Sequence, residues 1–286
     1  MSSATLNDGQ FNRLSRFIEG EVGIKMPPGK RIMLESRLQK RLRALALTSF
    51  DDYLQHVFDH EGDEIIHMID VVTTNKTDFF READHFGFLE DHVLPEFLTR
   101  EQGSRTGVFK AWSAASSTGE EAYTMGIVMA EFRRNNPRFD FRILGTDIST
   151  AVLATARTAV YPVHRIDPVA PELRKRYFLR SRDRGSELVR VKPELRQRAT
   201  FHRMNLMAPH FPIRDRFHAI FCRNVIIYFE RPRQAELLRK LYQYLLPGGY
   251  LFLGHSETLA GMDLPVESVA PTVYRRPDEG EGLFYG

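Results

Sequence analysis

The sequence predicts a doubly wound α/β sheet domain that follows a small all-helical domain and is interrupted by a small antiparallel β insertion. Three observations carry this. After residue 108, short and largely apolar runs alternate with helical stretches, the texture of parallel strands covered on both faces. Residues 30–47 place Leu34, Leu38, Leu42 and Leu45 on one stripe at helical spacing. Between these regions and the last strands, Leu188-Val189-Arg190-Val191 alternates apolar with basic beside the turn-like Arg182-Asp183-Arg184-Gly185-Ser186.

In chain order, residues 11–20 read as a short helix, and Pro27-Pro28-Gly29 then breaks the chain because proline lacks an N–H and blocks continuation from before it. Residues 30–47 form the leucine-striped helix, and 50–58 and 63–72 are further helical candidates. Strands are expected at 108–114, 141–147, 200–205, 217–223 and 249–254, and helices at 120–135, 149–159 and 231–245. Residues 270–276 are expected to add a last edge strand, and the tail after residue 277 to be loose. The implied domains are 1–75 (helical) and 76–286 (sheet), with a hairpin subdomain inserted at 162–200.

Composition narrows the function classes. The 286 residues carry 40 Lys+Arg against 37 Asp+Glu, a formal charge of +3 and a pI near 9.0. The balance is uneven: residues 161–203 hold twelve basic residues against five acids, and residues 30–43 hold six against one. Two basic islands on a mildly acidic body point to an acidic macromolecular partner. The single cysteine, Cys222, excludes an internal disulfide and a multi-thiolate metal centre and suits a reducing compartment. No apolar run approaches the ~18 residues of a membrane span, and residues 1–20 hold no apolar core of a secretory signal. A cytoplasmic protein without a metal is expected.

Four polar constellations fall at the carboxyl ends of the expected parallel strands, where open α/β sheets bind ligands. The first is Ser113 to Glu121, a run of small residues opening onto two glutamates. It lacks the GxGxxG pattern and has no P-loop lysine, and its acids disfavour a pyrophosphate while welcoming a cation. As a purely structural alternative, Ser117 or Thr118 forms a capping box with Glu121. The second is Asp147, placed to accept from ribose hydroxyls or simply to cap the next helix. The third is Met204-Asn205-Leu206, whose amide suits an adenine edge. The fourth, Arg223-Asn224-Val225, is a polar pair between apolar runs, costly to bury unless satisfied. Ahead of the sheet domain, Asn75, Thr77 and Arg81 bracket Phe79-Phe80, aromatics that read as packing on the sheet domain.

In this order, TTNKTDFFRE, WSAASSTGEEAYT, LGTDIS, MNL, FCRNVIIYF and GYLFLGHSE resemble the CheR chemotaxis methyltransferases, which methylate receptor glutamates. The resemblance runs from about residue 10 to residue 276. It implies a Rossmann-like S-adenosylmethionine-dependent methyltransferase domain, with S-adenosylhomocysteine as product. It also implies that Asn75, Thr77, Arg81, Glu121, Asp147, Asn205, Leu206, Asn224 and Val225 contact the cofactor. Arg81, as a positioning group, and Tyr228, beside the reaction centre, become the catalytic candidates. Arg37, Lys40, Arg41 and Arg43 of the basic helix would meet the acidic receptor bundle, and the β insertion would offer a docking edge to a receptor's carboxy-terminal tail. The implied partners are chemoreceptor methylation helices, with no nucleic acid, no membrane insertion and a monomeric enzyme.

A glutamate with pKa near 4.3 is already ionised at pH 7, so such an enzyme needs no general base. It needs alignment, worth roughly 7–11 kcal/mol, and a dry pocket. His255 in Gly254-His255-Ser256-Glu257 is accordingly read as structural or substrate-facing. Two other readings stay open from sequence. One is a nucleic-acid methyltransferase, against which stands the absence of prolines in Asn224 to Tyr228. The other is a non-catalytic, cofactor-sensing adaptor.

Overall fold

The computed structural model describes residues 4–59, 63–100, 107–183 and 185–278; the extreme tail expected to be loose lies outside them. Four helices come first: α1 (Asp8–Val22), α2 (Arg31–Ala44), α3 (Phe50–Asp59) and α4 (Asp63–Val72). Asn7 and Gln10 start α1 with a reciprocal capping box. Gly23 ends it at φ +74°, and a Cβ there would lie 2.7 Å from Met207 Sδ. Only glycine both turns the chain there and lets the sheet domain approach. Leu14, Ile18, Leu34, Leu38, Tyr53 and Val57 are buried between the helices.

The outer basic ridge expected on α2 is smaller than the sequence implied. Arg37 folds back and donates to the carbonyls of Val72 (2.6 Å) and Thr73 (2.9 Å). Arg41 grips buried Glu64 at 2.7 and 3.0 Å, and Tyr53 donates to the same carboxylate. These two guanidiniums hold the helical domain together, because a charge leaving water needs a partner. Lys40 and Arg43 remain exposed.

The chain then forms α5 (Asp84–Phe88) and α6 (Leu94–Arg100), joined by a π turn, in a stretch to which the sequence reading gave no element. The sheet domain follows: β1 (Val108–Ala114), α7 (Glu120–Asn135), β2 (Asp140–Asp147) and α8 (Thr150–Thr158). The insertion holds β3 (Val160–Pro162), α9 (Pro171–Tyr177), β4 (Phe178–Arg180), β5 (Leu188–Val191) and α10 (Pro193–Arg196). The chain closes with β6 (Ala199–Arg203), β7 (Phe217–Cys222), α11 (Arg231–Tyr244), β8 (Leu245–Leu253), β9 (Glu267–Ala270) and β10 (Val273–Arg275).

The main sheet runs β6-β2-β1-β7-β8-β10-β9. Its first five strands are mutually parallel, and the last two form an antiparallel hairpin. The expected edge strand near 273 therefore lies one place in, with β9 outside it. Apolar clusters fill both faces of the sheet, Phe109, Ile143 and Phe221 on one side and Trp112, Ile220 and Leu251 on the other. Cys222 is buried as a small apolar group. The insertion has three antiparallel strands, β3-β5-β4, where the sequence suggested two; β3 was hidden in the end of the preceding helix. Asp278, expected in the loose tail, is clamped by Arg100 and Arg275. Among the described residues no helix is long and apolar enough to cross a membrane.

Candidate active site

The carboxyl ends of β1, β2, β6 and β7 open into a cleft of about 1110 Å3, its solvent-open mouth included. The helical domain forms the facing wall through Val22, Ile24, Met26, Lys30 and Met33. It is anchored there by the Lys25 amide donating to the Tyr228 carbonyl (2.9 Å). Asn205 Nδ2 donates to the Glu21 carbonyl (2.7 Å), and the Thr150 hydroxyl and amide donate to Asp70.

Asp147 ends β2 at the floor of the cleft. Its carboxylate accepts from the amides of Ser117 (2.9 Å) and Ser149 (3.0 Å). Burial pushes its pKa up, and these amides pull it down. The helix cap is Ser149, so Asp147 is not needed for capping. The β1–α7 loop holds Ala115, Ser117 and Gly119 at φ 65°, 49° and 96°. At Gly119 a Cβ would come within 2.9 Å of Ala156 Cβ. The capping box expected with Glu121 is not formed: Gly119 is the N-cap, without a side-chain bond. The two glutamates are engaged otherwise, Glu120 by Arg165 and Glu121 by the Ser113 hydroxyl (2.7 Å).

Behind Glu121 lies an ion network that the sequence did not disclose. The Arg223 side chain, 1% exposed, reaches Glu82 (2.8 Å) and Glu121 (3.3 Å) and donates to the Arg81 carbonyl (2.5 Å). Burial alone would raise the Glu82 pKa, but hydrogen bonds from Arg223 and Asn224 bring it down to about 2. Asn224 sits at φ 56° and donates to Glu82 Oε1 (3.1 Å). The next segment is held from below by Glu257, whose carboxylate accepts from the amides of Gly254 (2.7 Å), Asn224 (2.9 Å) and Ile227 (3.3 Å). Glu257 follows His255 in a motif where only the histidine drew notice; an acid four residues past the end of a buried strand was the available signal. Glu257→Ala leaves these amides unsatisfied, at about 1–3 kcal/mol for a buried donor. A fall in the urea midpoint is expected, smaller in Glu257→Gln, which keeps one acceptor oxygen.

All ten residues singled out for cofactor and catalysis line this one cleft: Asn75, Thr77, Arg81, Glu121, Asp147, Asn205, Leu206, Asn224, Val225 and Tyr228. Arg81 donates from Nη1 to the Lys76 carbonyl (3.0 Å), and the Asn75 carbonyl accepts from Ser117 Oγ (3.0 Å). Arg37, Lys40, Arg41 and Arg43 lie outside the cleft, whereas Lys30, read only as part of their ridge, lines it. His255 also lies outside, paired with Asp84 (3.0 Å). Phe79 is buried and packs edge-on to Tyr161 and Phe178 of the insertion.

A crevice floored by an acid after the second strand, with acids where a pyrophosphate loop would need amides and cations, defines a domain for a nucleoside cofactor without a pyrophosphate. The donor set fits S-adenosylmethionine: carboxylates for hydroxyl and cationic groups, and apolar walls from Ile24, Met204 and Phe229.

The chain belongs to the CheR methyltransferase family. Residues 75–274 match the CheR methyltransferase SAM-binding domain, and residues 9–73 match the CheR all-alpha domain. The chain is 38% identical to the chemotaxis protein methyltransferase of Escherichia coli over 94% of its length and 91% of that protein. It is 41% identical to chemotaxis protein methyltransferase 2 of Pseudomonas aeruginosa over 88% of its length and 87% of that protein. With the probable chemotaxis protein methyltransferase of Rhizobium etli the identity is 37%, over 93% and 98%. It is therefore an S-adenosylmethionine-dependent methyltransferase.

Proposed function

We propose that the chain methylates glutamate side chains of chemoreceptors in the cytoplasm, leaving methyl esters and S-adenosylhomocysteine. The observation that carries this is the make-up of the cleft: Lys30, Lys76 and Arg81 line it beside Asp78, Glu121 and Asp147, and among the described residues neither histidine nor cysteine does. An acceptor that arrives already anionic needs cations to draw it in and no base to activate it. The bound S-adenosylmethionine supplies an electrophilic methyl group on a sulfonium.

The chain's own residues do the rest. Asp147 is placed for the ribose hydroxyls, with Asn205 and Leu206 beside the nucleoside. Glu121, Asn224 and Val225 line the middle of the cleft, and Asn75, Thr77 and Arg81 line its other side. Arg81 positions the cofactor, and Tyr228, its backbone fixed by Lys25, shapes the space where the acceptor enters. Ile24, Met33 and Phe229 give the cleft apolar surface, which suits a reaction that annihilates charge.

Transfer of labelled methyl to a purified receptor cytoplasmic fragment, released as methanol by base, tests the reading. Label that is stable to base, or that appears only in RNA, refutes it.

For docking, the surviving exposed cations of α2 are the proposed contact with the acidic receptor helices, and the outer edge of β4 is proposed for a receptor tail. Reversing Lys40 and Arg43 to glutamate is expected to slow receptor methylation several-fold, less so at high salt, with cofactor affinity unchanged. Arg41→Glu is expected instead to unfold the helical domain, because it places a second acid against Glu64. Steady-state rates across salt and thermal melts separate the two.

A further inference from the structure

A second constellation stands beside the Arg223 network. Glu82, His85 and His255 each bring one donor atom within 4.8 Å of the other two. His85 is 1% exposed, and its Nδ1 has no hydrogen-bond partner among the described residues. Its Nε2 lies 2.8 Å from Thr272 Oγ1, and its buried Nδ1 lies 3.7 Å from a Glu82 oxygen. His255 is oriented in a similar way. Its Nε2 lies 3.0 and 3.1 Å from the two Asp84 oxygens, which can only accept, so that nitrogen holds the proton.

We infer that Glu82, His85 and His255 form a site for a divalent metal ion of the zinc class, set one ion pair away from Arg81. Two imidazoles and one carboxylate select zinc-like ions over calcium or magnesium. Outer partners on the ring nitrogens, here Thr272 and Asp84, are the usual support for histidine ligands. Ligands on tetrahedral zinc sit about 3.4 Å apart, so binding draws the half-exposed His255 ring inward from the 4.8 Å spacing together with its Asp84 partner. Because Glu82 also holds Arg223, the ion shares a ligand with the network that supports the cleft.

The test uses full-length, tag-free protein stripped with chelator. Calorimetric titration with Zn2+ is expected to show one tight equivalent, and Co2+ to give the visible absorption of a four-coordinate nitrogen and oxygen site. His255→Ala, at a half-exposed position, is expected to weaken that equivalent at least tenfold. His210→Ala, at another exposed histidine, is expected to leave it unchanged. Absence of saturable Zn2+ uptake, undiminished affinity in His255→Ala, or an equal loss in His210→Ala overturns the assignment. None of these readouts depends on methyl transfer, so the site and the proposed activity fail separately.

Discussion

Arg81→Ala is expected to lower methyl transfer by one to two orders of magnitude while leaving the fold intact. The Arg81 side chain makes a single hydrogen bond to the protein among those described, to the Lys76 carbonyl. It is the Arg81 carbonyl, not the guanidinium, that Arg223 grips, so truncation spares the buried network. What is lost is a charged donor lining the cleft. A hydrogen bond to a charged partner contributes about 1.5–3 kcal/mol, which corresponds to roughly 10- to 150-fold in rate or affinity. Single-turnover transfer to a receptor fragment reads the loss, and circular dichroism melts read the fold. Arg81→Lys should recover part of the rate. Near wild-type turnover of the alanine variant removes Arg81 from the machinery.

Arg223→Met should act on stability instead, and more severely. The guanidinium lies at 2.8 Å from Glu82 and 3.3 Å from Glu121, with its side chain 1% exposed. Removing one partner of a buried ion pair typically costs about 3–5 kcal/mol, because the other charge stays behind unpaired. The pH dependence supplies a signature. Despite burial, hydrogen bonds from Arg223 and Asn224 hold the Glu82 pKa down to about 2 in the fold, against an ordinary 4.5. In the parent protein its contribution is therefore complete above pH 4.5 and is lost as pH falls through 2. Without Arg223, burial dominates and the Glu82 pKa rises, so the variant should regain stability as pH falls below neutrality. Urea midpoints of the two proteins between pH 4 and 7 should converge toward the acid side. A constant gap across that range would mean that the network is not what Arg223 stabilises.

How much of this was legible beforehand depended on the reach of each interaction along the chain. The parallel strands announced themselves as continuous apolar runs, and the cleft loops as polar breaks at their carboxyl ends, since both are local in sequence. Asp147 and Glu121, which line the cleft, were singled out that way. Three things were hidden. Strand β3 has three residues directly after a helix, too few to show a period. The inward turn of Arg37 and Arg41 depends on Val72 and Glu64, 35 and 23 positions away. Helical spacing predicts which face a long side chain leaves from, not where its charged end settles. The ion network joins Glu82 to Arg223 across 141 positions, and nothing near either residue advertises the other. The helices at 84–100 contain a π turn, which breaks the 3.6-residue rhythm by which helices are recognised.

The facing wall of the cleft belongs to the helical domain, fastened by the Glu21 carbonyl, the Lys25 amide and the Asp70 carboxylate. The backbone grasped on the other side is that of Tyr228, with the Asn205 amide beside it. The wall and the sheet domain therefore meet at backbone that frames the cleft itself, so a chain cut between α4 and β1 would keep only these non-covalent ties across it.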